Sequence, residues 1–357
     1  EDGVIFISID NNEVDNLIKL CDEVFGEINR IEIITWKNKY GSGAATKGYI
    51  EVHEYILVYS KMPIESLSSE LGESELKKYT KKDSKYSIRG GYRTQPLATR
   101  SMDDRPNLVY PIEYKGEKIL PNKQWVWSKE RMLKSIENDE VEFSENNGVY
   151  SIRSKQYLKD ENGIMRRGKP LSLMNGPFNQ EGTNDIRNLF DDKNPFDFVK
   201  PVNLIKYLLN IEINKDKNTD FYVLDFFSGS ATTAEAILQL NKYDGGKRKH
   251  IQIQLPEKTN PKSESFKLGY NKISEVGIER IKRVSKKIKE EHPEKSKEMD
   301  LGFKVFKLDS SNIKSWDGNP ENLNESLFDA VVNIKTDRTE EDVLYEILLK
   351  YGLDLTL

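Results

Sequence analysis

Phe221-Tyr222-Val223-Leu224-Asp225-Phe226-Phe227-Ser228-Gly229-Ser230-Ala231-Thr232-Thr233 carries an apolar run into an acid, then through small residues into an Ala- and Leu-rich segment. The apolar run predicts a strand over 221–226, and the Ala/Leu segment predicts a helix over 232–240. A strand–turn–helix unit of this kind leaves unpaired backbone N–H groups at the helix start, aimed at a ligand beyond the strand's carboxyl end. Gly229 lets a ligand approach the backbone closely, and Asp225 supplies one negative charge. The stretch lacks the Lys of a phosphate-binding P-loop and is not G-x-G-x-x-G. A ligand with a carboxylate for the helix end and an ammonium for the acid fits, and S-adenosylmethionine has both. Taken alone, the same small residues also suit a tight strand–helix turn with no ligand.

Working outward, His250 to Leu255 reads as the next strand, and Gln254 and Glu257 stand where such folds place a residue on ribose hydroxyls. Both are equally readable as exposed strand-end residues. Asn194 to Ile205 leads into a helix over 201–209, with Pro201 near its first turn. A long basic helix is predicted over 273–291, with Ile273, Val276, Ile278, Ile281 and Val284 on its apolar face and a solvated cationic face. Near the start, Val4 to Ile7 reads as a strand buried on both faces. A helix over 13–25, a strand over 31–36, a Gly/Ser/Ala turn over 41–45 and a strand over 54–59 follow. Strands alternating with helices imply an α/β fold. Beyond the long helix, a strand over 302–308 and a helix over 340–349 are predicted.

Residues 61–180 break this alternation. Their apolar runs are short and rich in Gly, Pro, Lys and Asp, as expected of an inserted, irregular, β-containing region with a small core around Trp125 and Trp127. The chain therefore divides into 1–60 and 181–295, two parts of one α/β body, the insert at 61–180, and an extension at 296–357. Within the insert, residues 77–100 hold eight Lys/Arg against one acid: Lys77, Lys78, Lys81, Lys82, Lys85, Arg89, Arg93 and Arg100, interleaved with Tyr79, Tyr86 and Tyr92. That mixture suits nucleic-acid phosphates with sugar or base packing, and equally a solvated loop. Acidic stretches at 65–75 and 137–145 bring the net charge to −4.

The 357 residues suffice for one large domain with an insertion, or for two domains. No stretch approaches 18 uninterrupted apolar residues, so a membrane span is not expected. The first residues lack a basic n-region, so neither is a signal peptide, and a cytoplasmic location is expected. The single cysteine, Cys21, excludes an intrachain disulfide and a cysteine-rich zinc site, and its amphipathic surroundings read as those of a buried thiol. His53, His250 and His292 are too dispersed for a metal-ligand pattern or a Ser–His–acid triad.

The order of these segments resembles the Mod subunits of type III restriction–modification systems, amino-group methyltransferases with a permuted motif order. Asp2 to Asp10 and Leu20 to Gly26 are similar to the family's segment just downstream of catalysis, and Glu51 to Tyr59 to the strand that closes this half of its sheet. Arg105 to Leu108 and Trp125 to Glu130 resemble its target-recognition region, Phe196 to Ile205 its motif X, and Asp225 to Thr233 its motif I. Leu301 to Asp309 and Asp337 to Asp342 look like segments largely confined to type III Mods.

The resemblance implies a Rossmann-like S-adenosylmethionine-dependent methyltransferase fold, permuted, with a mixed sheet and an inserted target-recognition region. It implies a cofactor pocket lined by Asp225, Phe226, Phe227, Ser228, Gly229 and Ser230, helped by Phe196, Lys200 and Pro201. Gln254 stands where related enzymes often carry an acid on the ribose. Ala231 replaces a more usual glycine, and a negative φ is expected for it at a helix start. The implied reaction is methylation of adenine N6 in a short asymmetric duplex site, by a Mod homodimer with a Res subunit as partner. The family's catalytic Asp-Pro-Pro-Tyr motif would lie upstream of residue 1, and that tetrapeptide does not occur in the 357 residues. The chain is thus expected to be an internal fragment that does not transfer methyl by itself. A non-catalytic DNA-binding remnant, and an amino methyltransferase acting on cytosine N4 or RNA, are the alternatives.

Overall fold

Alternating apolar residues place helices on both faces of the first sheet. The computed structural model describes residues 3–41, 48–99, 103–213, 219–314 and 333–355. Strands β1 (Val4–Ile9), β2 (Arg30–Lys37) and β3 (His53–Ser60), with helix α1 (Val14–Phe25) after β1, form the opening segment. β3 lies between β1 and β2 and is antiparallel to both. Ile5, Ile7, Leu57 and Tyr59 face α1 through Val14, Leu17, Ile18 and Cys21. Their sequence neighbours Val4, Phe6, Ile56 and Val58 point the opposite way, as a period of two requires. Gly26, at φ +88°, ends α1. Cys21 is buried as expected, and burial together with Asp22 pushes its thiol pKa up.

The insert is built from short pieces. Helix α2 (Tyr86–Arg89) and strand β4 (Tyr92–Pro96) are followed by helix α3 (Lys129–Glu137) and the hairpin β5 (Val141–Asn146) and β6 (Val149–Tyr157). Asn147 and Gly148 turn the hairpin with positive φ at both, the twist two-residue hairpins favour. β6 pairs with β4 on its other edge, giving the order β5-β6-β4. Trp125, 1% exposed, anchors a core with Tyr110, Met132 and Ile152, while Trp127 packs on it only partly buried. Strand β7 (Leu173–Asn175), within the 61–180 stretch, runs parallel to β2 and completes a four-stranded mixed sheet, β1-β3-β2-β7.

Helix α4 (Asn179–Leu189) leads to helix α5 (Val202–Leu209), whose Leu204 and Leu208 cover the second face of that sheet. Strand β8 (Tyr222–Asp225), helix α6 (Thr232–Asp244), strand β9 (Lys249–Gln252) and helix α7 (Ile273–Glu291) complete this body, with α6 packed between α5 and α7. β8 and β9 form a separate parallel pair. Leu224 and Ile251 are neighbours in register and both about half exposed, so one face of the pair has no cover among the described residues.

The chain is thus a mixed α/β protein containing a mixed sheet. Three local expectations need correction. β1 is packed on both faces but only half-buried, because among the described residues it is a sheet edge with a single neighbour, β3. The strand expected to run to Leu255 ends at Gln252; the Ile253 N–H still donates to the Asp225 carbonyl and its carbonyl accepts from the Ser228 N–H, but beyond Asp225 its neighbour is already loop. The strand expected at 302–308 is not formed: those residues are described and irregular, with no partner strand among the described residues.

Ser296–Leu357 is a second unit. Its helix α8 (Glu340–Lys350) is capped by Thr339, whose hydroxyl accepts from the Asp342 N–H. Glu346 accepts from Lys350, the Ser311 hydroxyl and the Asn312 N–H, which together hold its carboxyl at about 2. Among the described residues no helix is long and apolar enough to cross a membrane, and no cluster of His, Cys, Asp or Glu could hold a metal.

Candidate functional site

The loop between β8 and α6 is knit together by its own polar groups. Asp225 accepts from the Phe227 N–H at 3.2 Å and from Thr233 Oγ1 at 2.6 Å. The Ser228 N–H donates to the Ile253 carbonyl, and Ala231 N–H to the Ser228 carbonyl at 2.7 Å. The Gly229 N–H donates to Gln254 Oε1 at 2.7 Å, bringing the end of the β9 segment onto the loop. Four loop N–H groups ahead of α6, expected to be open to a ligand, are therefore engaged: two by Asp225 and Ser228 of the β8–α6 segment, and two by Ile253 and Gln254 of the segment after β9. Ser230, 3% exposed, faces inward, whereas the Phe226 and Phe227 rings are exposed and lie 5.1 Å apart.

Gly229 adopts φ +50°, and a Cβ there would lie 3.2 Å from the Phe196 ring. Phe196 thus sits directly over the glycine, from a segment 33 residues earlier in the chain. Ala231 is the second departure from expectation. Its φ is +60° and ψ 38°, left-handed rather than negative, because it precedes the first helical residue and turns the chain into α6. A non-glycine residue held there carries roughly 1–3 kcal/mol of strain, kept in place by its surroundings.

Lys200 and Pro201 lie beside α4 and the first sheet. Lys200 is ion-paired with Glu54 of β3 and lies over the Trp36 ring at 5.1 Å; Glu54 also accepts from Asn38 Nδ2 at 2.6 Å. Pro201 is buried at the start of α5. Two residues of α4, a helix the sequence pattern did not reveal, set this segment. Gly182 leaves room for it, since a Cβ would run into the Val199 carbonyl oxygen. Asp185 Oδ2 accepts from the Val202 N–H at 3.0 Å, capping α5 from a neighbouring helix. Burial raises the Asp185 pKa, with that N–H opposing the rise. Glu257 is exposed, and its carbonyl receives the Ile273 N–H at the head of α7.

Beside Phe196 lies a polar cavity of about 330 Å³, lined among others by Asn194, Asp197, Thr259, Ser263 and Val276. The Asn194 Oδ1 atom is buried and without a hydrogen-bond partner. A second cavity, about 110 Å³ and apolar, is lined by β1, β2 and residues 170–172 instead.

The cations of the insert are largely paired with acids. Lys78 and Arg93 meet Glu75, Lys81 meets Glu142, and Arg89 meets Glu140 at 3.4 Å. Lys85 donates to the Asn138 carbonyl, while Lys82 lies over the Tyr86 ring at 4.5 Å. Lys77 is exposed. Arg100 and the core of the 41–45 turn lie outside the described residues. Asp83 joins Lys155 at 2.9 Å and Tyr157 Oη at 2.6 Å. Burial opposes the Asp83 charge, but these two donors outweigh it and hold its carboxyl below the usual range.

With this geometry in view, comparison with known proteins decides the family. The family described as DNA methylase matches residues 1–296, which include the β8–α6 loop, Phe196, Gln254 and the insert. The chain belongs to the DNA methylase family. Its relatives include the StyLTI Mod subunit of a type III restriction–modification enzyme from Salmonella typhimurium, 33% identical over 86% of this chain and 45% of that one. The EcoPI Mod subunit of Escherichia phage P1 is 33% identical over 86% of this chain and 50% of its own length. The type II methyltransferase M.KpnI of Klebsiella pneumoniae is 33% identical over 79% of this chain and 69% of its own. This DNA methylase chain spans about half the length of the Mod subunits it matches.

Proposed function

We infer that the chain is part of a DNA adenine-N6 methyltransferase of the type III Mod kind, taking methyl from S-adenosylmethionine in a permuted Rossmann-like fold. The observation that supports this best is the convergence of Asp225, Gly229, Phe196 and Gln254 on one loop, within the part that matches the DNA methylase family. The groups present fit the cofactor. Asp225 keeps lone pairs for an ammonium beyond those given to Thr233 and Phe227. Gln254 uses its carbonyl on Gly229, which leaves its amide N–H₂ to donate to a ribose oxygen. The cavity beside Phe196, with the unpartnered Asn194 oxygen, suits the adenosyl end. When bound, S-adenosylmethionine supplies an electrophilic methyl group. We assign its holding to Ser228, Ser230, Phe226 and Phe227 around the loop, with Lys200, Pro201 and, beyond the end of β9, Glu257 as further contributors.

The DNA partner is a duplex read by the insert, with Lys77, Lys78, Lys81, Lys82, Lys85, Arg89, Arg93 and Arg100 toward phosphates, and the target adenine flipped out for access to its amino group. An Asp-Pro-Pro-Tyr segment to hold that group is not among the 357 residues. The proposal is that these residues alone bind cofactor and DNA without turnover, and that a strand contributed by that segment pairs beside β1, which has one neighbouring strand among the described residues. A Mod dimer and a Res subunit complete the assembly. The test is methylation of duplex DNA by the full-length protein with methyl-labelled cofactor, followed by nucleoside analysis. Label in N6-methyladenine is expected. Label only in N4-methylcytosine, or label in RNA but not DNA when RNA is offered in parallel, overturns the substrate assignment, and specific DNA binding without label identifies a non-catalytic remnant.

A further inference from the structure

Arg280 of α7 is 0% exposed, although it carries a permanent charge. Its Nε donates to Glu235 Oε2 at 2.7 Å. Its Nη1 is shared between Ser230 Oγ at 2.9 Å and Thr232 Oγ1 at 2.8 Å. Two of these three acceptors, Ser230 and Thr232, flank Ala231, the residue held in the left-handed conformation, and Glu235 lies one turn further into α6. One turn earlier on the same helix, Gly277 brings the α7 backbone against the loop. A Cβ there would lie 3.3 Å from the Gly229 carbonyl oxygen and 3.4 Å from Ala231 Cβ.

A buried ion pair is weak evidence for stability, since desolvation offsets most of its attraction. Its value is geometric: a planar guanidinium fixes three acceptors at once, which an ammonium or an apolar side chain cannot do. We propose that Arg280 is a positioning residue for the cofactor, with Gly277 setting how closely α7 approaches the loop. Held by Ser230 and Thr232, Ala231 stays left-handed, and Gly229 keeps its carbonyl toward α7 and its N–H toward Gln254. This rests on the loop being the S-adenosylmethionine site.

The test is calorimetric binding of S-adenosylmethionine to the full-length protein, with melting temperatures measured alongside. Arg280→Lys keeps the charge opposite Glu235 but not the fork, and is expected to weaken binding about tenfold, or about 1.4 kcal/mol. Gly277→Ala removes no hydrogen bond and favours the helix, so the melting temperature should hold or rise. Binding should nevertheless weaken by about threefold, because the loop must shift by a few tenths of an ångström. Arg248, also buried but paired with Asp244 at the far end of α6, is the control. Arg248→Lys should lower the melting temperature and leave affinity within about twofold. Normal affinity in both Arg280→Lys and Gly277→Ala overturns the proposal, as does equal weakening by Arg248→Lys. Should Arg280→Lys fail to fold, Gly277→Ala decides alone. A wild-type protein that does not bind the cofactor overturns the reading of the loop itself, and the positioning role with it.

Discussion

Thr233 Oγ1 donates to Asp225 Oδ2 at 2.6 Å, so the acid that ends β8 is tied to the second residue of the helix it leads into. The loop is thereby tied at both ends. Thr233→Val keeps the shape and removes the donor. The expected cost is about 1.5–3 kcal/mol, as for a hydrogen bond to a charged group, read from urea denaturation. Cofactor binding should weaken in parallel, because Asp225 is then free to turn.

Gly229→Ala should act differently. The φ of +50° strains any side chain by about 1 kcal/mol, and the new Cβ meets the Phe196 ring at 3.2 Å. Only a small fall in melting temperature is expected, whereas S-adenosylmethionine affinity should fall by about tenfold or more in calorimetry. An unchanged affinity would remove Phe196 and Gly229 from the site.

Asp83 anchors Lys155 and Tyr157 in the insert. Its carboxyl pKa lies below the ordinary 3.8, so the stability it contributes is present above 3.8 and is lost as pH falls through the depressed value. Asp83→Asn should cost about 2–3 kcal/mol near neutrality. The gap from wild type should close progressively in acid, as followed by denaturation from pH 7 downward.

Asp185 has the opposite sign. Its folded pKa is raised above the ordinary 3.8, so stability falls as pH rises between the two values, and the ionised group costs stability above both. Asn at this position can still accept the Val202 N–H. Asp185→Asn should therefore raise the melting temperature at neutral pH, and the gain should vanish below 3.8. A loss of stability at pH 7 would mean that the Asp185 charge is needed by Arg280.

Trp125 fills the core of the insert and donates its Nε1–H to the Tyr110 carbonyl at 2.8 Å. Trp125→Ala should cost about 3–5 kcal/mol within that region. If the insert reads DNA, retention of duplex DNA in gel shifts should fail while S-adenosylmethionine still binds, and joint loss of both would show that the two parts do not act separately.

Where apolar spacing is regular, the sequence was a sufficient guide. Ile273 to Glu291 forms the helix its periodicity predicts, and the continuous apolar runs at Val4–Ile7 and around Leu57 supply a sheet with two packed faces. The β8 strand, the α6 helix and the turn between them were legible for the same reason. What escaped was the work of polar residues on buried surfaces. Arg280 looked like one more cation on a solvated face, since nothing local marks which arginine meets Glu235 from another helix. Helix α4 was missed because its apolar positions are few, yet it carries Gly182 and Asp185. The Asn147-Gly148 pair between two apolar-alternating runs was a readable hairpin signal. The acids facing the basic stretch were visible as composition, but their pairing depends on how β4, β5 and β6 align.

That pairing has a consequence for how the insert would meet a polyanion. A free lysine arriving at a phosphate displaces condensed counterions, and each such contact steepens the fall of affinity with added salt by about 0.9 in logarithmic slope. Lys78, Lys81, Arg89 and Arg93 arrive with carboxylates already beside them, so an approach to DNA trades one anion for another and releases fewer ions. The salt dependence of binding should then be shallower than eight cations suggest. Replacing Glu75 or Glu142 with glutamine should steepen it, making the nonspecific grip on DNA stronger and the discrimination between sequences poorer.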